Sequence, residues 1–278
     1  MHNLVVRTVF GILFVAVVVC CLLFSPILYG AVFLTVMFFA LNEFYTISVG
    51  GSFPLQRGLA LLTGFVFFLA VFMHYMYGID TRWLSLAFLP LLSIGVSLIF
   101  RYDKHRENID RIPYIYTGLI YVALPVCLSP VVVFRGGKFD GILMLSFFIM
   151  IWMSDIGAYC LGSALGQKEG AHKLSPYISP KKSWWGFWGG VAVCILTSIG
   201  LYFLGWLPFK LFHCVLLAII TSTAGVCGDL FESVWKRRFG VKDSGRCIPG
   251  HGGMLDRFDS SLFAIPMACI YLALTGLL

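Results

Sequence analysis

From Thr8 to Asn42 the chain carries no formal charge, and uncharged apolar runs of similar character recur to the C-terminus. A helix of about 20 such residues crosses a hydrocarbon core of roughly 30 Å. Strands of a closed barrel would instead alternate apolar and polar residues, and that alternation is absent here. With 59% hydrophobic and only 12% charged residues among 278, the chain has too little polar surface for a soluble domain of its size. The sequence therefore predicts an all-α, polytopic integral membrane protein. Its expected spans are 4–24, 27–47, 58–77, 83–100, 112–134, 140–162, 186–206, 209–232 and 260–278, about nine transmembrane helices. The first run resembles a signal peptide, but its apolar core is long, and Ser25, Pro26 and Ile27 lead straight into another span, so it reads as a retained helix. Cys20 and Cys21 within it allow lipid attachment as one reading and buried small hydrophobes as the favoured one.

Lysines and arginines give an expected orientation. If the N-terminus faces the cytoplasm, Arg82, Arg135, Lys138 and Lys210 lie outside, and the other sixteen of the 20 cations lie inside. Among these are Arg7, Arg57 and the cluster Arg101, Lys104, Arg106 and Arg111. The positive-inside rule expects such a bias. Two polar loops, 163–185 and 233–259, then share the cytoplasmic face. A formal net charge of +7 would suit nucleic acid. Here, however, the cations cluster beside spans and lack an RNA-binding or helix-turn-helix context, which argues against a nucleic-acid partner. Membrane lipid headgroups or a soluble anion account for them better. The nine cysteines are scattered without a CxxC pair, so neither a disulfide framework nor a zinc site is indicated.

Polarity divides the chain. Residues 1–135 read as an N-terminal transmembrane scaffold with few intramembrane acids, whereas residues 140–278 gather glycines, polar residues and both long loops into a catalytic region. No internal repeat is evident, which disfavours a transporter built from inverted halves.

Ionisable groups at membrane depth need a partner or a function, and Glu43, Asp155, Asp229 and Glu232 are the clearest. Asp229 and Glu232 in GVCGDLFESVWKRR share one helix face with Ser233 and Lys236, while Gly225 and Gly228 permit close helix packing. A helix that simply ends there, pairing its acids with Lys236 and Arg237, is the alternative. Asp256 and Asp259 in DRFD repeat the three-residue spacing. Hard carboxylate oxygens suit Mg²⁺, which takes one or two protein carboxylates plus water and substrate phosphates, so Asp229 and Asp256 could form an incomplete cage. The alternative for Asp256 and Asp259 is helix capping. Directly upstream, PGHGG places glycines at 250, 252 and 253, where backbone N–H groups can approach an anion beside a helix N-terminus. Lys242, Arg246 and Arg257 add positive charge. His251 is open to two roles, a turn residue or a phosphate contact and proton carrier.

The second loop lies within DIGAYCLGSALGQKEGAHKLSPYISPKKSWWGFWGG. Asp155 and Tyr159 are one helical turn apart, and Gly162 and Gly166 permit bends. Lys173, Ser179, Lys181, Lys182 and Ser183 make a basic polar run suited to phosphate. An ordinary juxtamembrane loop would explain Trp184, Trp185 and Trp188 as an interfacial belt, but it leaves SPKKS unexplained.

Ser233 to Asp259, SVWKRRFGVKDSGRCIPGHGGMLDRFD, resembles the C-terminal signature of phosphatidate cytidylyltransferases, the CDP-diacylglycerol synthases of bacteria and organelles. S-x-x-K-R, K-D, P-G-H-G-G and D-R-x-D occur in order over these 27 residues, and DIGAY, HKLSP and SPKKS upstream add to the likeness. Trp185 stands where Glu or Gln is usual, and Trp235 replaces a smaller aliphatic residue. The resemblance implies joining of phosphatidic acid and CTP to give CDP-diacylglycerol and pyrophosphate, with Mg²⁺ and room for a second cation. It assigns the metal to Asp229 and Asp256. Catalytic roles fall to these two with Asp259, His251 and Lys242. Substrate contacts fall to Asp155, Ser179, Lys182, Ser183, Lys236, Arg237, Asp243, Gly252, Gly253 and Arg257. It also implies a homodimer in the bacterial cytoplasmic membrane, and the charge count, independently of the resemblance, places the N-terminus and both site loops on the cytoplasmic side. A CDP-alcohol phosphotransferase is chemically close, but its DGxxAR-type motif is missing. An ion-coupled transporter would leave the glycine-rich basic loop without a role, and a lipid-binding scaffold without catalysis would show headgroup affinity but no metal dependence.

Overall fold

The structure is a computed structural model describing residues 2–100, 106–168, 170–247 and 252–278, without the side chains of residues 2–7, 106 and 107. Arg101 and Lys104 of the cation count lie outside the described residues. The helices are α1 (His2–Phe24), α2 (Pro26–Ser48), α3 (Pro54–Tyr77), α4 (Thr81–Ile99), α5 (Asn108–Val133), α6 (Ile142–Ala164), α7 (Trp184–Phe203), α8 (Leu211–Arg238) and α9 (Leu255–Leu274). Among the described residues, α2 to α9 are 8 helices long and apolar enough to cross a membrane. Helix α1 is itself 23 residues long, and its described side chains, Thr8–Phe24, form a shorter apolar stretch, so the described residues show eight such helices and leave the expected count of nine unconfirmed. Cys21 in α1 is buried, while Cys20 is exposed.

The expected all-α class holds, with one addition. Strands β1 (Lys173–Ser175) and β2 (Ser179–Ser183) pair antiparallel between α6 and α7. In this polar stretch the strand ladder satisfies backbone groups that a loop would leave to water. Two helix ends also differ from the apolar boundaries. Helix α8 runs past residue 232 to Arg238, its last turn carrying Lys236, Arg237 and Arg238, cations that the negative helix terminus favours. Helix α9 starts at Leu255, so residues 233–238 and 255–259 of the expected loop are helical.

The chain folds as two compact units, Met1–Phe139 with Phe239–Arg257, and Asp140–Arg238 with Phe258–Leu278. In the first, Tyr29 packs among Phe33, Phe68, Phe72, Phe134 and Phe139. Helix α2 is held along its second half. Tyr45 Oη donates to the Ile115 carbonyl at 2.9 Å, its ring filling the space left by Gly118 just before a π turn in α5. At the C-terminal end of α2, Arg57 donates to Gly50 O and Asn42 Oδ1, and Arg111 donates to Val49 O. These guanidinium groups satisfy carbonyls that a helix end leaves without partners.

In the second unit, α6 and α7 meet across glycines. A Cβ at Gly157 would stand 2.7 Å from Val193, and one at Gly189 would stand 2.7 Å from Leu161 and 2.9 Å from the Gly157 carbonyl. Helices in lipid associate through such small residues because apolar side chains gain nothing by leaving the tails. Gly189→Ala should therefore destabilise this unit by about 2 kcal/mol, the usual scale of overpacking, read as an earlier thermal unfolding in detergent. An unchanged midpoint would show that the crossing relaxes freely. Buried hydroxyls pair locally, as in Ser154 Oγ to Ser222 Oγ at 2.7 Å and Ser198 Oγ to the Cys214 carbonyl at 2.7 Å.

Candidate active site

The second unit holds a cavity of about 590 Å³. Asp155, Tyr159 and Ser163 line it from α6, Lys181 and Lys182 from β2, and Asp229 from α8. Lys182 Nζ and Asp229 Oδ2 form an ion pair at 2.5 Å, with side chains 24% and 36% exposed. Asp155 feels the charges of Asp229 and Lys182, and Asp259 feels those of Asp229 and Asp155. Three carboxylates and one ammonium thus interact around Asp229.

The hairpin that presents Lys182 is tied to the end of α6. Gln167 Nε2 donates to the Lys181 carbonyl at 2.8 Å, and Lys173 Nζ donates to Gln167 Oε1 at 2.9 Å and to the Gly166 carbonyl at 2.8 Å. Ser183 is buried and caps α7, its Oγ accepting from the Gly186 amide at 3.2 Å. Gly166 is needed beside it, because a Cβ there would overlap Ser183 Oγ. Ser183 also lines the cavity, whereas Ser179 sits in β2 opposite Ser175 and is not part of its wall. Trp184, Trp185 and Trp188 are exposed, consistent with a membrane-interface belt.

On α8 the acidic stripe divides between two roles. Glu232, 1% exposed, pairs with Lys236 at 2.5 Å within the helix, as the alternative reading of this stripe expects. Asp229 turns to Lys182 and also accepts from Ser233 Oγ at 3.3 Å. Lys236 is thus held by Glu232, and Arg237 is exposed. Helices α8 and α9 approach closely at Gly228, where a Cβ would overlap the Asp259 carbonyl.

In the first unit, Asp256 Oδ2 accepts from the amides of Ser244 and Gly253, each at 2.8 Å, and from Ser244 Oγ at 2.9 Å. Three donors on one oxygen hold the carboxylate in a single orientation. Gly252 has φ +85°, a conformation that side chains resist, and a Cβ at Gly253 would overlap Ser244 Oγ and Glu43 Oε2. Lys242, Asp243 and Arg257 are exposed. His251 and Gly250 lie outside the described residues. Cys247 is exposed, and desolvation by its neighbours, then the Glu43 carboxylate, pushes its thiol above the usual range. Glu43 itself, in α2, accepts from this segment. The sequence marked it as an acid in need of a partner but could not name one 200 residues away. Gln167 carried no such mark, being a neutral residue whose role depends on the hairpin.

Among the described residues, no group of three or more His, Cys, Asp and Glu side chains forms a ready cage for a metal ion. Mg²⁺ does not need one, since it binds through one or two carboxylates and completes its shell with water and phosphate oxygens. Around Asp229 the donors are hard carboxylate oxygens, three acids that interact beside the single ammonium of Lys182. The residues fit such an ion.

Residues 5–275 match the cytidylyltransferase family. Similar proteins include the phosphatidate cytidylyltransferase of Staphylococcus epidermidis, 45% identical over 46% of this chain and 48% of that protein. That of Bacillus subtilis is 36% identical over 62% of each chain, and that of Staphylococcus aureus 46% identical over 45% of this chain and 46% of the other. The matched segments cover about half to three-fifths of these relatives' length.

Proposed function

Because the chain belongs to the cytidylyltransferase family, we propose that it transfers the cytidylyl group of CTP to phosphatidic acid, giving CDP-diacylglycerol and pyrophosphate with Mg²⁺ as the required ion. The observation that carries this reading is the ion pair of Lys182 and Asp229 in a cavity that Asp155 also lines. The relatives' shared name, phosphatidate cytidylyltransferase, supplies the substrate class. On the same reading the protein is a homodimer of the bacterial cytoplasmic membrane, with its N-terminus and cavity facing the cytoplasm, as the distribution of lysine and arginine favours.

Both substrates are polyanions, so the barrier is dominated by charge and positioning. An oxygen of the lipid phosphate attacks the α-phosphorus of CTP. The new P–O bond forms as the bond to the β-phosphate breaks, and pyrophosphate leaves with the electron pair. No protein nucleophile is required, because the lipid phosphate is already ionised at neutral pH. Lys182 is assigned to a substrate phosphate, exchanging Asp229 for it. Neither group is then left without a counter-charge when the substrates and ion arrive together. Asp229 in the second unit and Asp256 in the first are each assigned as a carboxylate for Mg²⁺, which would neutralise phosphate charge when bound. Lys242, Arg257 and the amide of Gly252 are assigned to phosphate oxygens, whereas the Gly253 amide, expected to join them, is taken by Asp256 Oδ2.

Product identity tests the reading. Purified protein in mixed micelles with phosphatidic acid and CTP should yield an organic-extractable lipid with the mass of CDP-diacylglycerol, and replacing phosphatidic acid by diacylglycerol should abolish it. Substrate flux in proteoliposomes without nucleotide, and no such lipid, would favour a transporter and overturn the proposal.

A further inference from the structure

Glu43 stands in the half of the chain that supplies none of the expected site residues, yet it reaches the segment that supplies several. It is 8% exposed, near the end of α2. Its Oε1 accepts from the Met254 amide at 2.9 Å, and its Oε2 accepts from the Leu255 amide at 2.9 Å and from Ser244 Oγ at 3.1 Å. Leu255 is the first residue of α9, so a carboxylate 212 residues away in sequence occupies the place of an N-terminal cap. A negative charge there also meets the positive end of the helix dipole.

The contact is closely fitted on every side. A Cβ at Gly245 would stand 2.5 Å from Glu43 Oε1, and one at Gly253 would overlap Oε2. Ser244 couples Glu43 to Asp256. Its hydroxyl is within hydrogen-bond distance of both Glu43 Oε2 and Asp256 Oδ2 and has one proton to donate between them, while its oxygen accepts from the Asp256 amide at 3.3 Å. Arg57 and Arg111 fix the end of α2 that carries Glu43.

We infer that Glu43 is a positioning residue, which caps the start of α9 and, through Ser244, sets the orientation of the Asp256 carboxylate for its ion. The inference rests on the cytidylyltransferase reading and adds a residue outside the signature. Two acceptor oxygens are required. An amide at position 43 offers one and turns N–H hydrogens toward the Leu255 or Met254 donor.

Glu43→Gln keeps the shape and tests the chemistry. Hydrogen–deuterium exchange of the full-length protein in detergent should quicken at least about tenfold at Met254 and Leu255, with amides of α3 unchanged. The Mg²⁺ concentration giving half-maximal CDP-diacylglycerol synthesis should rise about tenfold, while the rate at saturating Mg²⁺ falls less. A generally weakened fold would lower the rate at all Mg²⁺ concentrations equally. Unchanged exchange at the two amides would overturn the cap, and quickened exchange with wild-type Mg²⁺ dependence would overturn its link to Asp256. Should Glu43→Gln not accumulate, Ser244→Ala should raise the half-maximal Mg²⁺ several-fold with Leu255 still protected, and an unchanged value would overturn the coupling. Because exchange is read without turnover, a wild-type protein inactive toward phosphatidic acid and CTP would sink the functional reading while the cap is still judged.

Discussion

Asp229→Asn is expected to lose at least about a hundredfold in turnover with membrane insertion and folding intact. The asparagine keeps the shape and can still accept from Ser233 Oγ, but it carries no charge for Lys182 or for a metal ion. Removing a carboxylate that holds transition-state charge through a metal costs this much or more. A hundredfold is about 2.7 kcal/mol of barrier. Stability should change far less, because a partly exposed ion pair contributes about 0–1 kcal/mol. The two readouts should therefore separate, with a thermal midpoint near that of the wild type and a rate near background. Turnover within a few-fold of the wild type would remove Asp229 from the chemistry.

Asp256→Asn should cost at least about a hundredfold for the same reason, with a different structural consequence. Oδ2 of Asp256 gathers three donors from Ser244 and Gly253, and the carbonyl oxygen of asparagine can take that place. The local hydrogen bonds survive and the charge does not. If Asp256 served only to shape the loop, Asp256→Asn would be nearly silent and Asp256→Ala severe. The metal assignment instead predicts that both abolish synthesis, with Asp256→Asn leaving exchange at Gly253 unchanged.

Much of this architecture was legible in the sequence because lipid leaves few choices. A chain with uncharged runs of this length must satisfy its backbone within helices, and the spans followed from that alone. Helix ends were less legible. Apolar composition stops near residue 232, but the hydrogen-bond ladder of α8 runs on to Arg238, supported by the Glu232–Lys236 pair. The β1–β2 hairpin was hidden because SPKKS has no apolar alternation, and its strands are held by Gln167 and Lys173 rather than by a buried face. Asp155 and Tyr159, one helical turn apart in the sequence, both line the cavity. Sequence could not pair Asp229 with Lys182 or Glu43 with Leu255, since both contacts depend on how distant segments fold back within each unit.

The central claim is that this protein uses a divalent cation to move a cytidylyl group onto a lipid phosphate. Its most direct test is the release of pyrophosphate by purified protein given phosphatidic acid and CTP, measured alongside transfer of α-phosphate label into lipid, first in excess EDTA and then with Mg²⁺ restored. One pyrophosphate per labelled lipid, absent in EDTA and recovered with Mg²⁺, is the predicted result. Label transfer that persists undiminished in EDTA, or pyrophosphate released without labelled lipid, would contradict it.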